Sequence, residues 1–300
     1  MTAIKSTFAG LVTLALGASG TWAAPILGPD LASFAVLGAT GVTNVPISTI
    51  GGNLGSAPNA SVGGGYVFSS GSLQQNTAIA QNAQTQLDAA ILALNAFAST
   101  GTFASNVASI TYNPGVYDGG AVNLGAMVTL DGGGSNGAVW IFRTTSALVT
   151  STTAAVSVIN VGDGANVGIY WVVGSAATLN GPQFAGNVLA NTLISSDGSL
   201  ALSCGRLLSA ESQVTLIMDS ISIGCTDTGI AGATLVASSG GFDQGANIGS
   251  GSTGGSGGAV VNGVPEPGSL LLVSLALAGV GLARPGMMSS AFRSGRRESA

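Results

Sequence analysis

Catalysis needs nucleophiles, proton carriers or metal ligands, and this chain of 300 residues is short of all three. It contains no histidine, so no Ser-His-Asp or Cys-His device can be built. The single lysine, Lys5, sits in an N-terminal leader, which removes Ser-Lys and Schiff-base mechanisms from the body. Two cysteines, Cys204 and Cys225, leave a tetrahedral zinc site short of ligands. They stand 21 residues apart. On adjacent turns of a stacked structure their Cα atoms would lie about 4.8 Å apart, within bridging range. In an exported chain a structural bridge is the favoured reading, with two free buried thiols as the alternative.

The acids are scattered singly. Stacking could bring Asp197 and Asp219 together with Arg206 nearby, as in a β-helix lyase or hydrolase acting on matrix glycans. Isolated acids are also ordinary turn residues. GDGANVG (162–168) lacks the spacing and strand–helix context of a nucleotide loop, and GGGSNG (132–137) lacks the aspartates of a calcium-binding repeat. The expectation is a non-enzyme with no cofactor and no metal.

What remains to work with is hydroxyls, amides and methyls. AMVTLDG, SALVTST, AATLNG, TLISSDG and SQVTLIMD share an apolar–hydroxyl core. Residues two apart in a strand point the same way. Thr178 and Asn180 are therefore expected outward with Leu179 inward, Ser195 and Asp197 outward with Ser196 inward, and Thr215 and Ile217 outward between inward Val214 and Leu216. Thr129 with Asp131, and Thr150 with Thr152, are read as earlier outward pairs. Stacked turns would set these pairs in two files, with a rise of about 4.8 Å between turns.

Positioning such files needs stacked strands. Taking Thr129, Thr150, Thr178, Ser195 and Thr215 as equivalent gives steps of 21, 28, 17 and 20 residues. A period near 20 is the mark of a solenoid, and six to eight turns would stack to roughly 29–38 Å. One segment, residues 72–99, is helical by pattern instead. Ile79, Ala83, Leu87, Ala90, Ile91, Leu94 and Phe97 recur at three- and four-residue steps, so this helix should lie along the stack.

Composition agrees. Charged residues are 6% of the chain, against about 25% in an ordinary domain, and 48 glycines favour short strands and tight turns over a bundle. Between residues 24 and 263 ten acids face only Arg143 and Arg206, a net charge of −8. That sign repels phosphate backbones, so nucleic acid is excluded as a partner.

The two ends read as addresses. Lys5, an apolar run from Phe8 to about Ala18 and the small-residue pattern Thr21-Trp22-Ala23 form a signal peptide over residues 1–23. A single domain is expected over 26–240, then a Gly/Ser-rich linker over 241–263. Residues 264–300 carry Pro265, Glu266 and Pro267, an apolar run from Leu270 to Ala283, and then Arg284. This tail resembles the PEP-CTERM sorting signal of Gram-negative bacteria. The resemblance implies transient membrane anchoring, an exosortase-type processing enzyme, and delivery to the cell surface, the exopolysaccharide matrix or the extracellular space.

LGPDLASFAVLGATGVTNVPISTIGGNLGSAP (27–58), the helix, NPGVYDGGAVNLGAMVTLDGGGSNGAVWIF (113–142) and NVGIYWVVGSAATLNGPQFAGNVLANTLIS (166–195) follow one another in a family order. GRLLSAESQVTLIMDSI (205–221) continues it, and together they resemble the microbial ice-binding protein family. The resemblance implies a mainly β fold: a right-handed, discontinuous β-solenoid of triangular cross-section with one long α-helix packed alongside. It also implies adsorption to ice, or ordered water, through a flat Thr/Ser/Asn face. The candidates for that face are Thr129, Thr150, Thr152, Thr178, Asn180, Ser195 and Thr215. The alternative on the same scaffold is a non-catalytic structural or adhesive protein of the cell surface or exopolysaccharide matrix.

Overall fold

The computed structural model describes residues 26–224, apart from Asn136 and residues 163–166. The leader, Cys225, the Gly/Ser linker and the tail with Pro265, Glu266, Pro267 and Arg284 lie outside the described residues.

Strands dominate from the start, beginning with the wholly buried FAVLG. After a helical turn, α1 (Pro29–Ala32), come β1 (Phe34–Gly38), the long β2 (Gly41–Gly51), β3 (Asn53–Ser56), β4 (Val62–Ser70) and β5 (Leu73–Gln75). Helix α2 (Ala78–Asn95) follows. The chain then winds through β6 (Gly101–Thr102), β7 (Asn106–Val107) and β8 (Ile110–Tyr112), and through β9 (Gly115–Gly119), β10 (Val122–Leu124) and β11 (Met127–Asp131). The next turn is β12 (Val139–Thr144), β13 (Leu148–Thr150) and β14 (Ala155–Ile159). Then come β15 (Gly168–Val173), β16 (Ala177–Leu179), β17 (Gln183–Ala190), β18 (Ile194–Ser196) and β19 (Ala201–Ser209). The described chain closes with β20 (Gln213–Leu216) and β21 (Ser220–Ser222).

Every described pairing is parallel, and the pairings form three ladders of a β-solenoid-like stack. Ladder one runs β6–β9–β12–β15–β17–β19–β1–β3–β5. Ladder two runs β7–β10–β13–β16–β18–β20–β2–β4. Ladder three runs β8–β11–β14–β17–β19–β21–β2–β4. Stack order is not chain order. The first strands of the chain sit on its last complete turn, and α2 carries the chain from one end of the stack to the other. From β5 to β6 there are eight spacings of about 4.8 Å, roughly 38 Å. The helix supplies about 27 Å of that at 1.5 Å per residue, and the segment to β6 supplies the rest.

The helix is shorter than its apolar pattern predicts. Leu73–Gln75 pairs with β3 as a strand instead of opening the helix. Thr77 caps the true start, its Oγ1 accepting from the Ala80 amide at 3.3 Å. Ala80, Ala83, Leu87, Ala90 and Leu94 are the buried positions, whereas Ile79 is exposed. They pack on Leu37, Val116, Ile141, Tyr170, Leu189 and Leu208, the outer side chains of ladder one. Ladder one therefore reads as apolar on both faces, as in the unbroken burial of β15.

Inside the stack, side chains of adjacent turns meet ring on ring. Phe142 stacks on Trp171 at 4.3 Å and on Tyr117 at 5.4 Å. Two arginines fasten the parts together. Arg143 grips both carboxylate oxygens of Asp118, at 2.7 and 3.0 Å, and donates to the carbonyls of Asn95, the last residue of α2, and Phe97 just beyond it. Arg206 is fully buried and donates to the Ala32 carbonyl and to Asn187 Oδ1. Cys204 is buried and no described cysteine is free; its expected partner Cys225 falls outside the described residues.

Candidate functional site

Ladder one is covered by α2, which leaves ladders two and three to present a surface. The strands of ladder two are short and follow one rule. In β16 the pattern is Ala177 buried, Thr178 half-exposed, Leu179 buried, and β10, β13, β18 and β20 repeat that alternation. Each turn therefore offers one central outward position. In stack order these are Asn106, Asn123, Val149, Thr178, Ser195, Thr215, Thr43 and Gly63. Four consecutive members, Thr178, Ser195, Thr215 and Thr43, carry hydroxyls. None of the file is charged. Ser195 Oγ lies 3.4 Å from Thr178 Oγ1, so neighbouring hydroxyls are within mutual reach.

Thr178, Ser195 and Thr215 thus occupy the outward file, with Leu179, Ser196, Val214 and Leu216 inward as expected. The second member of each expected pair lies past the strand end, at the corner toward ladder three. Asn180 and Ile217 are half-exposed there, and Asp197 is exposed.

Two of the candidates need correction and one is displaced. Thr150 does not point outward: it is 1% exposed, and its Oγ1 accepts from the amides of Asn180 and Gly181 at 2.7 and 3.0 Å. Val149 holds the outward position, because Val149 pairs with Thr178 and Thr150 with Leu179. Aligning Thr150 with Thr178 was a one-residue slip, which turns every side chain to the opposite face. Thr129 belongs to a different surface, on β11 of ladder three beside Thr111 and Ser157. Thr152 is exposed in the turn after β13.

Ladder three is the rougher surface. Its outward file contains Met127, Ala155, Gln183, Ala201, Ser220, Thr49 and Val67, with Met127 and Val67 about half exposed. Its register also shifts between Ile50 and Gly51. Ladder two has its own irregularity at the β7 end. Small side chains at Ser105, Ala121 and Ala147 leave a recess of about 340 Å³ beside Asn106, Asn123 and Val149.

Behind the hydroxyl run, the corner between ladders two and three holds a buried polar column. Asp219, 2% exposed, accepts from Ser196 Oγ, from the Leu200 amide at 3.0 Å and from the Ile217 amide at 3.0 Å. Its own amide donates to Ser48 Oγ at 2.9 Å, and Ser48 donates to Asn44 Oδ1 at 2.8 Å. Burial pushes the Asp219 carboxyl above the usual range, against the opposing pull of the bonds it accepts. The expected grouping of Asp197, Asp219 and Arg206 does not form a site: Asp219 is interior, Asp197 is exposed, and Arg206 reaches Ala32 and Asn187. Among the described residues no cluster of three or more His, Cys, Asp or Glu could hold a metal ion.

Thr43 is the functional candidate that the sequence reading missed. Its local signal, Val42 inward, Thr43 outward and Asn44 inward, is present in GVTN. Its place beside Thr215 depends on the crossing from chain order to stack order.

Residues 36–222 match the family described as Ice-binding-like. A curated relative, the "Ice-binding protein" of Nostoc sp. (strain HG1), is 33% identical over 209 residues, covering 64% of this chain and 72% of the relative. Among solved structures, an ice-binding protein from the Antarctic ascomycete Antarctomyces psychrotrophicus is 30% identical, with a TM-score of 0.60 over 68% of this chain and 100% of that one. Another, from an Antarctic biological consortium, is 28% identical with a TM-score of 0.61, over 67% and 92%. With the family matched across nearly the whole described stack, the chain belongs to the ice-binding-like family.

Proposed function

We propose that this protein is exported and adsorbs to ice through ladder two. The observation that carries the reading is the uncharged hydroxyl run Thr178–Ser195–Thr215–Thr43 on a surface that α2 leaves open. Threonine methyls discourage disordered hydration, while the hydroxyls anchor water at the fixed spacing of the stack, about 4.8 Å. The array is held from behind by closely packed side chains, so little conformational freedom is lost on contact. The similarity to proteins named for ice binding supports the same conclusion.

The finer architecture in this proposal is a right-handed solenoid of triangular section over residues 26–240, closed by a Cys204–Cys225 bridge. The signal peptide at 1–23 directs export. The Pro265-Glu266-Pro267 tail with Arg284 directs exosortase-type sorting to the surface or exopolysaccharide. The test is partition of the purified protein into a growing ice hemisphere, together with thermal hysteresis and recrystallisation assays. Wild type should concentrate in the ice, and Thr178→Tyr should not. Exclusion of wild type from the ice would end the reading. A second reading on the same scaffold is adhesion to matrix polysaccharide, which retention in exopolysaccharide without ice activity would support.

A further inference from the structure

Asn180–Gly181 is the only Asn-Gly pair among the described residues, and it lies at the edge of the hydroxyl face. Packing dictates the glycine: a Cβ at 181 would stand 2.2 Å from the Ala154 carbonyl oxygen and 3.1 Å from its carbon. An asparagine followed by glycine is open to a spontaneous reaction in water. The Gly181 nitrogen loses its proton and bonds to Cγ of Asn180, the Cγ–Nδ2 bond breaks, and ammonia leaves. Water then opens the cyclic imide at either carbonyl, giving aspartate or isoaspartate.

The structure restrains the attacking atom. The Gly181 N–H donates to Thr150 Oγ1 at 3.0 Å, and the Asn180 N–H donates to the same oxygen at 2.7 Å. Thr150 is 1% exposed, so solvent does not compete for these bonds. The nitrogen that must lose its proton and turn toward Cγ is thereby held against an interior hydroxyl, while the Asn180 side chain is half-exposed. We propose that Thr150 shields Asn180–Gly181 from deamidation and so keeps a second exposed carboxylate away from the corner where Asp197 already stands at the surface. Leu179 pairs with Ser196, which sets Asn180 one turn from Asp197. Conversion would place two like charges on adjacent turns at the rim of the hydroxyl file. The consequence for ice rests on the proposed function; the shielding does not.

The experiment incubates the purified full-length protein at neutral pH and locates amide-to-acid conversion by peptide mass mapping. Folded wild type should retain Asn180, while the same protein held in urea converts it. Thr150→Val should convert roughly five- to tenfold faster than wild type, the rate equivalent of one lost hydrogen bond. Thr150→Ser, which keeps the acceptor, should match wild type. Equal rates in folded and denatured wild type would overturn the proposal whether or not Thr150→Val folds. So would a folded Thr150→Val that converts no faster than wild type. Aged Thr150→Val should also partition into ice less than the fresh variant. If fresh wild type fails to enter ice, the functional reading falls while the mass measurement still decides the shielding.

Discussion

Thr43 and Thr215 are parallel partners on adjacent strands, though 172 positions separate them in the chain. Thr43 therefore completes a run of hydroxyls whose other members come from the far end of the described sequence. Thr43→Tyr should lower thermal hysteresis as strongly as Thr178→Tyr, whereas Thr129→Tyr on ladder three should leave it near wild type. Thr43 is exposed, so its replacement should change stability by no more than about 0.5 kcal/mol, checked by urea denaturation.

Thr150 acts from inside. Removing its hydroxyl leaves two backbone N–H groups without their acceptor behind the outer surface. Thr150→Val should cost roughly 1–3 kcal/mol in chemical denaturation, and Thr150→Ser much less.

Arg206 ties the first helical turn to β17 and β19 from a fully buried position. Arg206→Ala should destabilise by roughly 3–5 kcal/mol, because it empties a large volume and strands the Ala32 carbonyl and Asn187 Oδ1. A melting temperature within a few degrees of wild type would contradict this.

Two carboxylates should give opposite pH signatures. The Arg143 guanidinium bonded to Asp118 holds that carboxyl below its usual range. Its contribution is present above the ordinary carboxylate pKa and is lost as pH falls through the lowered value. Burial holds Asp219 above its usual range. Its contribution is present below the ordinary value and declines as pH rises through the raised one. In urea titrations across pH, Asp118→Asn should flatten the acid limb alone. Asp219→Asn should flatten the decline that begins above the ordinary carboxylate range. Superimposable profiles for wild type and both variants would refute the assignments.

Much of this was readable from the chain, and the failures share a cause. Alternation fixed which neighbours of Thr178, Ser195 and Thr215 turn inward, because a strand with one buried face cannot slip without exposing its core. The same alternation occurs on ladders two and three, so AMVTLDG and AATLNG look alike although Thr129 and Thr178 stand on different surfaces. In SALVTST two adjacent residues, Val149 and Thr150, were both acceptable outward, and the register was decided by Leu148 against Ala177 on the next turn. The helix pattern ran past its true start because Leu73 suits a strand edge as well as a helix face. Thr43 was hidden by topology: nothing near residue 43 says that its neighbour is residue 215.

The placement of β1–β3 against β19–β21 has a consequence for how the protein is made. A chain emerging from its N-terminus can wind the turns from β6 onward with contacts close in sequence. The surfaces of β1 and β2 must wait for partners at the far end of the described chain. Closure of that junction is the most non-local step of folding, so it carries the largest loop-closure cost and should come late. Until residue 216 is available, Thr43 has no Thr215 beside it, and the nascent chain holds two unjoined stacks with no continuous four-hydroxyl row.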